Sequence, residues 1–443
     1  MPRNKEKGKN AEVPVSLKGM RDIRGEEYYK YQGLFEKAQE VAIYYGFKPI
    51  ELPILEKEAV FIRGVGEGTD IVDKELYRLR TKGGDKLALR PEGTAGVMRA
   101  YLEHGMQAEP QPVSLYYYGS FFRHDNPQRL RFRELRQFGL EMLGTPKSIA
   151  DAIIIRTVTI ILEEGGFKNL SVTLNSIGDK ECRPRYVKEL QNYYKKHQNE
   201  ICADCKERLK ENPLRLLDCK NEKCVELKGG APDSVAYLCG ACKQHFKEVL
   251  EYLEEMRIPY SISKTLVRGL DYYTRTVFEI FENLPDEPVE EGKEVEKKLP
   301  LALASGGRYD YLARSLGSKK DVPGVGVAIG IDRAVLSPVG KPPSPRILKK
   351  PKICFIQLGF EAKLKSLTII EILRKARIPI VQSLSKDSIG AQLATAEKLE
   401  VPYSIIFGQK EAMDGTVIVR SMHNRSQESV ELSRLPEYLK ELK

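Results

Sequence analysis

Residues 115–143 read LYYYGSFFRHDNPQRLRFRELRQFGLEML, two runs of alternating character joined by residues that favour a reversal. A period of two is the mark of an extended strand, and Asp, Asn and Pro supply the turn, so the stretch predicts a long antiparallel hairpin. In its second arm Arg131, Arg133, Leu135, Gln137, Gly139 and Glu141 share one face, while Leu130, Phe132, Phe138, Leu140 and Met142 lie mainly on the other. Arg123 falls on the same face as Gly119 and Phe121 in the first arm. One face is therefore core, and the other is a polar floor with arginines near one end and Gln137 and Glu141 further along. Guanidinium forks match phosphate oxygens and a carboxylate accepts from N–H donors, so the floor suits a ligand with phosphates at one end and an amine or imidazole at the other. A solvated, salt-bridged sheet face is the alternative that these residues alone leave open.

Around the hairpin the pattern is mixed. Residues 26–45 carry Tyr28, Tyr31, Leu34, Phe35, Ala38, Val41 and Ala42 at helical spacing, with Gly46 as the stop. Extended segments follow at 75–79 and 86–89, then a helix over 149–164, a strand over 171–174, a helical block over 183–256 and strand signals over 260–281. Beyond the Pro- and Lys-rich stretch PVGKPPSPRILKKPK, four short apolar strands alternate with helices over 362–376 and 389–399, the pattern of a small α/β domain. The fold class is α/β, an α+β core carrying an antiparallel sheet. The boundaries expected are a basic disordered tail (1–17), a core (18–182 and 257–340), a helical insertion (183–256), a linker (341–350) and a C-terminal domain (351–443).

A chain of 443 residues can support two or three cores, and its net charge of +10 favours polyanionic partners. No apolar run long enough to span a membrane and no signal-peptide core follow the N-terminal lysines, so a cytoplasmic protein with no membrane partner is expected. Six of the eight cysteines fall between Cys202 and Cys242, which in a reducing compartment points to metal. Cys219, Cys224, Cys239 and Cys242, a knuckle pair and a helix-start pair, form the expected tetrahedral zinc set. Cys202 and Cys205 stand as replacements for one pair or as buried thiols, and His245 is a further candidate ligand whose preferred reading is a surface histidine.

The segments LALRPEGTAG, the hairpin, LVRGLDYYTRTVFEI, LASGGRYDYLA and GVGVAIGIDRAV occur in that order. Together they resemble the histidyl-tRNA synthetases, of class II, from about residue 18 to the C-terminal domain, which looks like that family's anticodon-binding domain. The resemblance implies ATP-dependent joining of L-histidine to histidine tRNA through an adenylate, with Mg²⁺. It implies a histidine pocket of Glu92, Gly93, Thr94, Arg123, Gln137, Glu141, Arg268, Tyr272, Tyr273 and Tyr309. Arg123 and Arg268 would act at the α-phosphate, and Arg131, Leu135 and Arg333 would complete the ATP site. Gln128 and Arg129, in the hairpin loop, would contact tRNA, and a homodimer is implied, with the first helix and the segment around Pro53 at its interface. Three positions depart from the family pattern: Leu135 replaces an aromatic, Asp332 a glutamate, and Arg275 a glycine whose replacement is expected to point away from the site. The related regulatory subunit of histidine biosynthesis usually lacks the C-terminal domain and an intact RGLDYYT, both of which are present here.

Overall fold

The computed structural model describes residues 13–126, 130–282, 302–338, 340–346, 351–382 and 387–442. Two compact units result, Met1–Pro345 and Arg346–Lys443. The expected tail, the linker, the hairpin loop and the charged run ENLPDEPVEEGKEVEKK at 282–298 fall wholly or partly outside the described residues. Gln128 and Arg129 lie outside them too.

The first unit is built on an eight-stranded sheet among the described residues. Its strands run in the spatial order Lys48–Pro49, Val113–Phe122, Glu134–Leu143, Gly324–Gly330, Ala304–Arg308, Thr274–Glu282, Leu170–Ser176 and Tyr260–Ile262. The hairpin is antiparallel, with Leu115 opposite Glu141 and Gly119 opposite Gln137. Its second arm pairs on the other side with Gly324–Gly330, which sets Gly326 beside Glu141 and Gly330 beside Gln137. Only the two edge pairings are parallel.

Strand alternation sorts the hairpin into two cores. Tyr116, Phe138, Leu140 and Met142 pack with Phe278, Ile280, Val325 and Val327 beneath the helices Glu26–Tyr44 and Ser148–Glu164. Leu115, Tyr117, Phe121 and Leu143 enter the core of the opposite face with Tyr272, Tyr273 and Tyr309. The first helix buries Tyr31, Leu34, Ala38, Val41 and Ala42, opens with Glu26 and Glu27 where the helix dipole favours acid, and gives way to Gly46 at φ 82°. The Ser148–Glu164 helix buries Ile154, Ile155, Val158, Ile161 and Leu162. At about 1.5–3 kcal/mol for each large apolar side chain removed from water, that single face is a major source of stability.

Two expectations needed correction. The segment read as extended over 75–79 is a strand only at Arg78–Arg80, because Ile71–Glu75 winds into a helical turn in which Asp73 N–H donates to Thr69 C=O. The strand signal over 260–281 divides into Tyr260–Ile262 and Thr274–Glu282, and the RGLD residues between them form a loop. In the second unit a five-stranded sheet has the order Ile380–Gln382, Ile353–Gln357, Tyr403–Phe407, Thr416–Ser421, Gln427–Glu431. The first two pairings are parallel and the last two antiparallel. Gln427–Glu431 escaped the sequence reading because only Val430 in it is buried, so it carries no apolar alternation.

Candidate active site and cysteine clusters

Glu141 projects from the hairpin's polar face and is 0% exposed, so that face is no solvated floor. Its carboxylate accepts from Thr94 Oγ1 at 2.6 Å and from Tyr117 Oη at 3.3 Å on one oxygen, and from the Tyr309 hydroxyl on the other. Burial pushes the Glu141 carboxyl up to about 8, against the opposing pull of the Thr94 and Tyr309 hydroxyls. Bare backbone makes room for it. A Cβ on Gly326 would lie 1.7 Å from Glu141 Oε2, and a Cβ on Gly139 or Gly93 would lie 2.0 or 2.2 Å from the Tyr117 ring.

The Thr94–Glu103 helix begins at this pocket. Glu92 accepts from the backbone N–H groups of Thr94 (2.7 Å) and Ala95 (2.9 Å) and from the Tyr272 hydroxyl (3.2 Å). A carboxylate thus caps the helix start where the macrodipole is positive. Burial raises the Glu92 carboxyl all the same, more than its N–H donors and Arg123 lower it. Tyr272 and Tyr273 pack at 4.7 Å between ring centres, and Tyr309 meets Tyr272 edge-on at 5.8 Å. Two carboxylates, walled by tyrosines, can hold a cationic amine and a polar N–H ring without exposing either to water. Gln137, in the same strand as Glu141, keeps a buried Oε1 with no hydrogen-bond partner among the described residues, an acceptor left for a ligand.

Towards the other end of the floor the charge is positive. Arg268 is held by Ser305 Oγ (2.7 Å) and by Glu279 carboxylate oxygen, with its guanidinium carbon 5.8 Å from the centre of the Tyr273 ring. Arg123 donates to Pro91 C=O at 2.8 Å, and Arg131 stands 3.5 Å from Asp125. Arg333 donates to Ala302 C=O. Burial, and then the like charges of Arg131 and Arg123, pull the Arg333 guanidinium down to about 10. Arg123, Arg131 and Arg268 lie close enough for their like charge to act on Arg333, surroundings that suit an anion. Leu135 is half-buried at the edge of the core on this face.

The residues expected for the histidine pocket (Glu92, Gly93, Thr94, Gln137, Glu141, Tyr272, Tyr273 and Tyr309) therefore gather on one sheet face, with Arg123, Arg131, Arg268 and Arg333 towards the other end. Tyr117, Glu279 and Ser305 were missed. Tyr117 was within reach, since alternation puts it on the same face as Gly119 and Arg123; Glu279 and Ser305 become partners of Arg268 only through strand pairing. Asp332 accepts from the Tyr31 hydroxyl (2.7 Å) and from Arg136 N–H, and so ties the first helix to the hairpin. Arg275, at φ 50°, points to Asp179 (3.3 Å) and Asp310 (3.9 Å).

The expected zinc set is corrected. Cys219 and Cys224 converge with Cys202 and Cys205, whereas Cys239 and Cys242 converge with Asp179 and Cys182; in each group the donor atoms lie within 4.8 Å of one another. Spacing along the chain paired the wrong knuckles because the helices, not the loops, decide which sulfurs meet. His245 is also corrected: it is 6% exposed and faces Asp151 at 3.4 Å, beside the buried Arg308.

The histidyl-tRNA synthetase family model matches residues 19–334, and an anticodon-binding-domain model matches residues 352–442. A histidine–tRNA ligase of Dehalococcoides mccartyi is 41% identical over 420 residues, 95% of this chain and 97% of that protein. One from Caldicellulosiruptor bescii is 38% identical over 424 residues, 96% of this chain and 98% of its own length. The crystal structure of apo S. aureus histidyl-tRNA synthetase superposes with a TM-score of 0.77 at 30% identity, covering 97% of this chain and all of that one. A Bacillus halodurans structure described as an ATP phosphoribosyltransferase regulatory subunit/histidyl-tRNA synthetase shares the fold, with a TM-score of 0.59 at 22% identity. Matched by its family model over most of its length and by relatives over nearly all of it, the chain belongs to the histidyl-tRNA synthetase family.

Proposed function

We propose that the Glu141 pocket holds the imidazole of histidine, that Glu92, Thr94 and Gln137 receive its α-ammonium, and that Arg123, Arg131, Arg268 and Arg333 hold the phosphates of ATP. The reaction is the ATP-dependent ligation of L-histidine to histidine tRNA through a histidyl-adenylate. The observation that carries the residue assignment is the polarity of one sheet face. At one end a buried carboxylate collects three hydroxyl donors, and at the other Arg333 is enclosed beside the guanidiniums of Arg131 and Arg123, pulled down by burial first and by their like charge second.

In this reading the histidine carboxylate attacks the α-phosphorus of ATP and pyrophosphate leaves, with no covalent nucleophile drawn from the protein. ATP enters as its magnesium complex. Arg268, fixed by Glu279 and Ser305, and Arg123, fixed by Pro91 C=O, stabilise charge that develops on the α-phosphate without having to reorganise. Arg333 meets the γ-phosphate, and Leu135 packs on the purine. A terminal ribose hydroxyl of tRNA then attacks the carbonyl carbon of the adenylate, and the C–O bond to the phosphate breaks to release AMP and leave the histidyl group on tRNA. Gln128 and Arg129 contact the tRNA end, and the 351–443 domain the anticodon.

The insertion over 183–256 carries Cys202, Cys205, Cys219 and Cys224, which suit zinc. Cys202 and Cys219 sulfurs stand 3.8 Å apart, and a tetrahedral site with Zn–S of about 2.3 Å separates its sulfurs by about 3.8 Å. Held by these four sulfurs, zinc would supply structure by tying the start of the Ala203–Glu211 helix to Cys219 and to the Glu222–Lys228 helix that carries Cys224. The protein acts as a cytoplasmic homodimer. Ile43, Tyr44, Ile54 and Leu55, large apolar side chains 45–84% exposed on the first helix and beside Pro53, supply the contact surface.

Histidine-dependent ATP–pyrophosphate exchange tests the assignment. Glu141→Gln should raise the KM for histidine and leave that for ATP, whereas Arg333→Gln should do the reverse. Equal effects of both variants on both substrates would overturn it.

A further inference from the structure

We propose that Asp179, Cys182, Cys239 and Cys242 form a second structural metal site, three thiolates and one carboxylate, of a kind that suits zinc. It is separate from the Cys202–Cys224 cluster and lies beyond the function proposed above. All four donor atoms lie within 4.8 Å of one another, and three of the four residues are buried. Cys182 Sγ stands 3.5 Å from Asp179 Oδ1. A tetrahedral zinc with Zn–S of about 2.3 Å and Zn–O of about 2.0 Å separates its sulfur and oxygen ligands by about 3.5 Å.

The chain is built to bring these groups together. Gly178, at φ 69°, precedes Asp179, and a Cβ there would sit 2.7 Å from Cys182 Sγ, so bare backbone admits the sulfur. Cys182 immediately precedes the Arg183–Lys196 helix and Cys239 the Gly240–Glu255 helix, with Cys242 in the first turn of the latter. The other cluster repeats this plan, with Cys202 at the start of the Ala203–Glu211 helix and Cys205 in its first turn. Leu238 packs with Cys182 and Cys242 and closes an apolar side. Asp179 Oδ1 also accepts from Glu181 N–H at 3.0 Å, and Oδ2 accepts from Arg275 at 3.3 Å. Three thiolates and a carboxylate around a divalent ion leave excess negative charge, and an arginine on the carboxylate's second oxygen both orients that ligand and offsets the charge.

The site adjoins the histidine pocket through the backbone. Arg275 N–H donates to Gly178 C=O at 2.8 Å, Ile177 N–H donates to Arg275 C=O at 2.9 Å, and Arg183 donates to Tyr273 C=O. A metal on Asp179 and Cys182 would therefore brace the strand start that carries Tyr272 and Tyr273.

The full chain, purified under reducing conditions with zinc in the medium, is expected to hold two zinc equivalents by elemental analysis. The pair Cys219→Ser and Cys224→Ser should leave one, and the pair Cys239→Ser and Cys242→Ser should also leave one, so the two sites fail separately. A single equivalent that the second pair of substitutions does not lower would overturn the proposal. Because such variants can misfold, the unsubstituted chain, stripped by a chelator, is also titrated with Co²⁺. Tetrahedral thiolate spectra should saturate at two equivalents; saturation at one that persists in the Cys239→Ser, Cys242→Ser pair, or a disulfide among Cys182, Cys239 and Cys242 in the reduced preparation, would overturn it.

Discussion

Thr94 donates to Glu141 across 2.6 Å, from the first turn of a helix whose start is capped by Glu92. One helix start thus joins two buried carboxylates contributed by distant parts of the chain. Glu141 exists there at an electrostatic cost, since three hydroxyl donors do not restore what burial removes.

That cost has a pH dependence. In the unfolded chain the Glu141 carboxyl titrates near 4.5, and in the folded, unliganded chain near 8. Between those values the folded state holds a proton that the unfolded state has released, so this group makes stability fall as pH rises from about 5 to about 8. Glu141→Gln abolishes the titration, and its stability relative to the parent chain should grow across that window in urea denaturation. Parallel curves for the two proteins would refute the assignment of a raised carboxyl. The same variant should lose about 10- to 100-fold in histidine KM, the worth of one hydrogen bond to a charged group.

Gly326→Ala would drive a methyl group to within 1.7 Å of Glu141 Oε2. Overpacking of this kind costs about 1–3 kcal/mol and displaces the carboxylate, so histidine-dependent exchange should drop by roughly two orders of magnitude. Gly390→Ala, in the Ile389–Lys398 helix where the added Cβ meets nothing within 4 Å, is the control and should not lower melting or change exchange. Retention of activity in Gly326→Ala would mean that Glu141 is not where histidine binds.

Arg268→His should slow adenylate formation by about 10²–10³-fold, the range for loss of a fixed transition-state donor. Arg268 also neutralises Glu279, so thermal stability should fall modestly, by about 1–3 kcal/mol. Arg333→Gln should behave differently and stabilise the unliganded protein, because it removes a buried charge and relieves its repulsion from Arg131 and Arg123, while ATP affinity weakens. A destabilised Arg333→Gln protein would contradict the like-charge account.

Arg308 of the GGRYD segment is 0% exposed and pairs with Asp151, which is also 0% exposed. Burial would raise the Asp151 carboxyl, but Arg308 and His245 override it and hold the group down at about 2. Asp151→Asn leaves a buried guanidinium short of its countercharge, and unfolding should be easier by about 3–5 kcal/mol. Melting within about 0.5 kcal/mol of the parent, by denaturant titration, would show that Asp310 suffices as the partner.

Period-two alternation determined the hairpin by itself, because the spacing of side chains on a strand is a local property. It assigned Arg123, Gln137 and Glu141 to a common face, and the ordered segments RPEGT, RGLDYYT and GGRYD carried the family. What no local pattern contains is which distant residue completes a cluster. Cys219 could join Cys239 or Cys202 with equal ease in the sequence, and only the packing of the Arg183–Lys196, Ala203–Glu211 and Gly240–Glu255 helices separates the eight donors into two groups. His245 reads as a surface residue on an amphipathic helix until the Ser148–Glu164 helix brings Asp151 against it. Likewise Arg308 and Arg268 are both arginines near glycines and tyrosines, yet the fold encloses the first completely with Asp151 and leaves the second partly exposed between Glu279 and Ser305. That division is made by strand register and helix packing, since whether a charge is solvated or enclosed depends on what lies across the sheet rather than on its neighbours in the chain.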